Sequence, residues 1–341
     1  MTATASTGTE FSDEFASAGF GEGDQVPAGL GPWRLAWRRL RRNKTALFFG
    51  GVFILILVLC LLAPVYSHSV AHISPAAENI AGQGNNCPPT CVSVTGIPIG
   101  PTWTSSYFFG ADRNGRDVAV RLLYGGRNSL EIGFVATLIT MFFAIILGVL
   151  SGYFRGILDG VINRALDVIW AFPAVLLGVA LGATLAVSGI LFLHGTSLLV
   201  PAVVIGIVYI PYVAKPIRGQ VLVLREREFI DAARQQGLSS WRIMFTEVMP
   251  NLASTIIVFV PLILANAILL EAALTYLGAG VQPPNPSWGT MISDGIAQLP
   301  AAFHDVLVPG IMLVLTVLSI NIFGDGLRDA LDPRAKVRIA R

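Results

Sequence analysis

Apolar residues gather in six long runs, near 46–66, 130–153, 167–193, 197–214, 253–277 and 306–323, and polar residues collect between them. A helix needs roughly 17–25 mostly apolar residues to cross a bilayer, so each run predicts a membrane span. The third run is interrupted by Pro173 and several glycines, which blurs its ends. Pro173, Pro201, Pro211 and Pro261 fall within runs and predict bends. The expected fold is an all-α membrane protein with six transmembrane helices. Between the fourth and fifth runs, residues 215–250 form a polar, helix-punctuated stretch longer than a plain connection needs.

Composition supports this class and basic residues orient it. Of 341 residues, 54% are hydrophobic and 13% charged, against about 25% charged in soluble domains. With the N-terminus inside and six crossings, all 23 Lys and Arg except Arg113, Arg116, Arg121 and Arg127 face the cytoplasm, as the positive-inside rule requires. The net charge of +2 therefore reflects topology, not affinity for nucleic acid. The first run begins at Ala46, too far along and too long for a cleaved signal. It reads as a permanent first span, with both termini cytoplasmic.

The polar segments divide the chain further. Residues 1–30 lack periodicity and read as a disordered tail. Residues 31–45 read as a basic amphipathic helix in the headgroup layer, with Trp33, Trp37 and Leu40 on one face. Residues 67–129 form an external segment. Its Cys87 and Cys91 are expected to oxidise, with a free pair or a metal site as alternatives. His68 and His72 read as interface histidines, and Cys60 as a small apolar packer in the first span. After Asp117, Val118, Arg121 and Leu122 predict a separate interfacial helix, with Asp117 either capping it or pairing with an arginine. The five-helix core is expected over 130–327, and a cytoplasmic tail over 328–341. Asp325, Arg328, Asp329 and Asp332 predict a short, charge-paired terminal helix.

Three patterns carry candidate chemistry. In the loop, Phe229, Ala232, Ala233 and Gln236 share one helix face, small at its centre. Gly237 suits the left-handed position that ends a helix. Ser239 or Ser240 then caps a second helix over 241–248, and Pro250 marks re-entry into the membrane. The external turn 277–289 is rich in Pro and Gly and lacks Lys or Arg. Within or at the head of the spans, the only acids are Glu131 and Glu271. Buried acids are costly, so Glu271 either lines a solute path or bonds to a neighbouring helix.

Four segments together resemble the C-type permease subunit of dipeptide, oligopeptide and nickel ABC importers. They are Gly110-Ala-Asp-Arg-Asn-Gly-Arg-Asp117 with Arg121-Leu-Leu-Tyr-Gly-Gly-Arg127, the loop 231–250, the turn 277–289, and Gly324-Asp-Gly-Leu-Arg-Asp-Ala-Leu-Asp-Pro-Arg334. The resemblance covers roughly 30–334. Asp231 stands for the usual Glu, Met249 for Leu and Ala111 for Thr. It implies a type I importer permease fold whose cytoplasmic coupling helix docks on an ATPase through Glu228, Phe229, Asp231, Ala232, Ala233, Gln236, Gly237, Trp241 and Pro250. It also implies an outer gate or binding-protein contact at Gly110, Asp112, Gly115, Arg116, Asp117, Gln282, Pro283, Pro284 and Trp288. The implied partners are a second permease subunit, two ABC ATPase subunits, an extracytoplasmic solute-binding protein and membrane lipid. ATP and Mg would be bound by the ATPases, with no cofactor or metal in this chain. The chain itself has no G-x-x-x-x-G-K-[ST] phosphate loop. Di- or oligopeptides are the expected cargo, with nickel complexes or glutathione as alternatives. A stand-alone secondary transporter would show inverted repeats and midplane ionisable groups, of which only Glu271 is a candidate. A membrane enzyme lacks its H-E-x-x-H or G-x-S-x-G signature here.

Mass spectrometry of unreduced, alkylated protein is expected to show Cys87 linked to Cys91. Two alkylated cysteines in oxidised protein would disprove the link. Serine at both positions should leave transport nearly unchanged, because the closed loop is small.

Overall fold

The computed structural model describes residues 32–79, 92, 97–189 and 194–331, with side chains from Arg34 onward. Cys87 and Cys91, the tail 1–30 and Asp332 to Arg341 lie outside the described residues. The described chain is helical: α1 (Pro32–Leu40), α2 (Lys44–Leu61), α3 (Val118–Phe154), α4 (Gly156–Trp170), α5 (Ala174–Ser188), α6 (Leu199–Arg225), α7 (Glu228–Gln235), α8 (Ser240–Ile243), α9 (Met249–Tyr276), α10 (Trp288–Gly295) and α11 (His304–Leu331). Five stretches are long and apolar enough to cross a membrane: α2, α3, α6, the run Ser240–Tyr276, and α11. A sixth is α4 with α5, if that pair, bent by 87°, counts as one.

Several spans differ from the hydropathy runs. The third run is no single rod: residues 167–170 end α4, and α5 starts only at Ala174. Pro173 supplies no N–H and disfavours a helical residue before it, and here its own backbone is extended, so that it stands as the N-cap of α5. Residues 190–193, the expected end of that span, lie outside the described residues. The interfacial helix expected after Asp117 is instead the first three turns of α3, a single helix of 37 residues. α6 runs on to Arg225, and α11 to Leu331. The separate, charge-paired terminal helix is therefore absent from the described residues, and Asp325, Arg328 and Asp329 are exposed. Hydropathy marks the part of a helix within lipid. The helix continues wherever one face stays covered, as Ile217, Val221 and Ala330 are.

The central contact is α3 against α6. A Cβ added at Gly148 would lie 2.8 Å from the Ala214 carbonyl oxygen, and one at Gly152 would lie 2.7 Å from Val221 Cβ. From the other side, a Cβ at Gly206 would lie 2.7 Å from the Ile139 side chain. Thr140 Oγ1 donates to the Gly206 carbonyl at 2.9 Å. Small residues that let backbones approach are the usual means of holding helices together where lipid is as apolar as the side chains.

α1 turns Ala36 and Leu40 inward and leaves Trp37 58% exposed. The face predicted from Trp37 and Leu40 is thus split, while the Trp33 side chain lies outside the described residues. Leu40 and Ala46 pack with Phe323, Leu327 and Ala330 of α11. Ala36 is small enough to let α1 lie close to α11, and the indole is left on the surface.

Gly148→Leu is expected to force α3 from α6 and destabilise the purified chain by about 1–3 kcal/mol or more. Gly51→Leu, where nothing lies within 4 Å of the added carbon, should leave it unchanged. Thermal unfolding in detergent compares the two; equal midpoints would show that this contact is not a limiting one.

Candidate functional site: the inner hairpin and the outer turn

At one end of the bundle, called inner after the expected topology, α6 gives way after Glu226 to α7, a helix of 8 residues. Gly237 takes φ +77°. Its N–H bonds to Arg234 O at 2.9 Å, and the Leu238 N–H to Ala233 O at 3.2 Å. This pair of bonds is the Schellman ending, and Gly237 holds the left-handed position assigned to it from sequence. Ser239 then caps α8, its Oγ accepting from the Arg242 N–H at 3.4 Å. The second helix expected over 241–248 is not a separate element. α8 passes through a π-helical turn, Met244–Val248, directly into α9. Pro250 therefore sits in the first turn of α9, not at a boundary. A wide turn just before a proline relieves the clash of its ring with the preceding carbonyls.

The docking face also needs correction. Ala233 points inward with Ile230, and both pack with Ile243, Met244, Val248, Val221 and Leu166. Phe229, Ala232 and Gln236 remain exposed. The signal for this was present, because Ile230 and Ala233 are spaced i, i+3 and share a face. The outer face of the hairpin carries Phe229, Trp241 and Phe245 at 40%, 58% and 67% exposure. Phe245, one turn beyond Trp241, was missed by the motif. Glu228 and Asp231 are exposed as well, with Asp231 paired to Arg234 at 2.9 Å. Behind the hairpin, Arg218 grips both Asp159 oxygens at 2.6 Å. Lys215 bonds Asp167 at 2.6 Å and lies 3.8 Å over the Trp170 ring. These bonds strap α4 to the inner half of α6. Beside them, a groove of about 440 Å³ opens between α6, α9 and α11, lined in part by Gln220, Ser254, Thr255 and Arg328.

At the outer end, Asp117 caps α3 and is bonded to no arginine. Its Oδ1 accepts from the amides of Ala119 (2.8 Å) and Val120 (3.0 Å), and its Oδ2 from that of Tyr107 (2.6 Å). Burial raises its pKa above the usual carboxylate value, with the amides of Val120, Tyr107 and Ala119 pulling the other way and the charge of Asp112 adding to the rise. Those three donors make an ionised carboxylate tolerable in so enclosed a place. Tyr107 has φ +56° and is pinned at its hydroxyl by Asn79 at 2.6 Å.

The two outer segments identified from sequence do meet. Arg116 and Gln282, Pro283 and Pro284 line one cavity of about 160 Å³. Yet most of the expected contact residues are enclosed: Gly110, Asp112, Gly115, Asp117 and Trp288 are buried, leaving Pro283 and Pro284 exposed. Trp288 is a core anchor. Its Nε1 donates to the Leu122 carbonyl at 3.1 Å, and its ring lies over Gly126, where a Cβ would sit 2.6 Å away. A tryptophan in a Gly- and Pro-rich turn reads as surface until the two glycines of α3, Gly125 and Gly126, are placed beneath it.

Glu271 is wholly enclosed. Its Oε1 accepts from Thr275 Oγ1 at 2.9 Å, and Thr275 Oγ1 accepts the Val281 N–H at 3.0 Å. Ser129 and Ser287 act on the same carboxylate, although Oε2 has no well-aligned partner. The carboxylate is hydrogen-bonded within α9, has Ser129 of α3 and Ser287 of the outer turn beside it, and faces no open surface of this chain. Glu131 is exposed, at the edge of an apolar groove with Phe53, Leu57 and Arg127.

A multi-pass helical bundle with a packed hairpin at one end and a closed turn at the other is the architecture of an integral membrane protein. Comparison with known proteins agrees. The family model for a binding-protein-dependent transport system inner membrane component matches residues 144–337, and that for the N-terminal transmembrane domain of oligopeptide transport permease C matches residues 31–89. A dipeptide transport system permease of Alkalihalophilus pseudofirmus is 37% identical over 92% of this chain and 93% of its own length. Glutathione transport system permeases of Pectobacterium atrosepticum and Salmonella paratyphi A are 35% and 37% identical, each over 89% of this chain and 92% and 91% of their own lengths. The chain belongs to the family of inner-membrane permease components of binding-protein-dependent ABC importers.

Trp288→Ala should cost about 3–5 kcal/mol and free the outer turn. Limited proteolysis from the outside should then cut near 281–290, where the parent resists. Equal resistance would show that the indole does not hold the turn.

Proposed function

We propose that this chain is one of two membrane subunits of an ATP-driven importer of di- or oligopeptides. In this reading it lies in a bacterial cell membrane with both termini cytoplasmic. A second permease subunit completes the path, an extracytoplasmic binding protein delivers the solute, and two ATPase subunits bind ATP and Mg and hydrolyse the nucleotide. The relatives named for dipeptides and for glutathione support peptide-like cargo. Nickel complexes have no such support.

The observation that carries the mechanism is the two-sided hairpin. Its outer face offers Phe229, Ala232, Gln236, Trp241 and Phe245 to a partner. Its inner face, Ile230 and Ala233, is packed into the same core as the inner ends of α3, α4, α6 and α9. A partner that pulls on the outer face therefore moves helix ends, not a slack loop. In family terms this is coupling to the ATPase. Asp231 and Glu228, in the first turn of α7, complement its dipole and leave the apolar centre free to enter a groove.

Ala232→Arg and Trp241→Glu alter the exposed face alone. In reconstituted vesicles containing all subunits, both are expected to abolish binding-protein-stimulated ATP hydrolysis and dipeptide uptake while the complex still assembles. Ala233→Arg, by contrast, should lower thermal stability, because it buries a charge without a partner. Parental uptake in both surface variants would remove the hairpin from the coupling path.

A further inference from the structure

One pair of opposite charges on α3 is used by neither site. Arg127 and Glu131 stand one turn apart, at i and i+4, and both are exposed. Neither has a hydrogen bond or an ion pair among the described residues. A basic residue four places before an acidic one is the weaker order for a bridge along a helix, so both groups stay open to a ligand.

They stand at the mouth of an apolar groove. It encloses about 390 Å³ between α2, α3 and α9. α2 lines it with Phe53, Leu57 and Leu61, α3 with Phe134, and α9 with Leu264. Leu61 and Phe134 are exposed, so the groove is open along its side. Phe53 and Leu61 are eight positions apart, about 12 Å of helix. That is close to the hydrocarbon depth of one leaflet, half of roughly 30 Å. The apolar run of α3 starts at Leu130, which puts Arg127 at headgroup level and Glu131 just beneath it. The groove thus descends from the headgroup layer toward the middle of the bilayer and is charged only at its top.

This layout selects its occupant. Peptide cargo needs donors and acceptors for its backbone, and below Glu131 the walls are hydrocarbon apart from the Cys60 thiol. A helix of another subunit would press its apolar face on two charges, which is costly for each. A phospholipid answers every part of the site. An acyl chain fills the groove, and a phosphate suits the guanidinium of Arg127. Glu131 calls for a cation at nearly the same depth that can donate a hydrogen bond. A primary ammonium does so. A choline headgroup has no N–H, a glycerol headgroup has no positive charge, and a serine headgroup adds a carboxylate that Glu131 repels.

We propose that this groove binds phosphatidylethanolamine, with one acyl chain between α2 and α3, the phosphate on Arg127 and the ammonium on Glu131. The site does not depend on the permease reading. Its back wall ties it to the outer turn. A Cβ added at Gly126 would lie 2.5 Å from Cys60 Sγ and 2.6 Å from the Trp288 ring. Cys60 and Trp288 share one apolar cluster with Leu57 and Leu264. A chain in the groove completes that cluster on its lipid side and braces the indole that holds the turn.

The test uses the assembled transporter in phosphatidylcholine nanodiscs doped with a phosphatidylethanolamine that carries a diazirine in one acyl chain. After irradiation, peptide mapping is expected to place adducts on 53–61 and 130–134. Unlabelled phosphatidylethanolamine should remove them, while added phosphatidylglycerol or further phosphatidylcholine should not. Glu131→Gln should keep the adducts but let phosphatidylcholine compete about equally. Arg127→Gln should lower the adducts about tenfold, the loss of one charge-assisted bond. Adducts spread evenly over the exposed faces of α2 and α11, or equal competition by all three lipids in the parent, would overturn the site and leave bulk lipid alone. A Leu61→Cys chain that cross-links to a second permease subunit and yields no lipid adduct would also overturn it, giving the groove to a protein helix.

Discussion

Two helices can bring their backbones almost into contact only where neither carries a bulky side chain, and α3 and α6 meet in this way along much of their length. Gly148 and Gly152 receive α6, and Gly206 receives α3, with Thr140 bonding across the seam. In lipid there is little hydrophobic gain from pressing one apolar helix on another, so close dispersion contact has to supply the cohesion. Much of the bundle is positioned against this pair, while α11 packs chiefly on α2 and α9, and α1 on α11. α9 lies across both, α4 is strapped to the inner half of α6, and α10 is clamped on the outer half of α3 through Trp288 and Gly126. A widened seam would shift the inner and outer sites together.

α3 contains 37 residues, about 55 Å of helix, well beyond the roughly 30 Å of a hydrocarbon core. It begins at the outer end, with Asp117 and Arg121. It ends at Phe154, whose ring packs edge-on against Trp241 of the inner hairpin at 5.8 Å. The run Ser240–Tyr276 is also 37 residues long. It begins in the hairpin and ends at Glu271 and Thr275, which hold the outer turn. Two continuous rods therefore touch both sites. That is a physical basis for communication across the membrane, since a helix tilts as a unit more readily than it bends. The exception is the π-helical turn at Met244–Val248, where the second rod can yield beside the hairpin.

Five of the six apolar runs were legible as spans because the bilayer imposes one simple requirement of length and hydropathy, the third being broken at Pro173, and Gly237 was legible because a left-handed helix ending admits few residues. What could not be read from those rules was decided by neighbours distant in sequence. Lys215 and Arg218 look like the end of a span until Asp167 and Asp159 are placed beside them. Trp288 looks like surface until Gly126 is found beneath it. Ala232 and Ala233 are alike in themselves, but Ile230, three residues before Ala233, marks the inward face, a local signal that the motif overrode. The exposed aromatic Phe245 follows Trp241 at i+4 and was within reach of helix periodicity, but the motif drew attention only as far as Trp241. Asp294 carried no local signal, for it meets Arg113 and Arg116 only where α10 folds back on the loop before α3.

The two ends of the bundle are built on opposite plans. At the inner end the buried core is apolar, from Val149 through Ile230 to Leu252, and the charges that strap α4 to α6 lie partly in solvent. Such an end is cohesive but has no electrostatic reason to hold one position, and its aromatic face is left uncovered in this chain. At the outer end, Asp112, Asp117, Arg121, Glu271 and Asp305 are all buried. Buried charges add little net stability even when paired and are costly when unpaired. Their value lies in narrowing the geometries the end can adopt, because each intermediate position leaves some of them unsatisfied. An apolar, cohesive inner end and an outer end restricted to few states fit the proposed role, in which force enters on one face and the other must not leak.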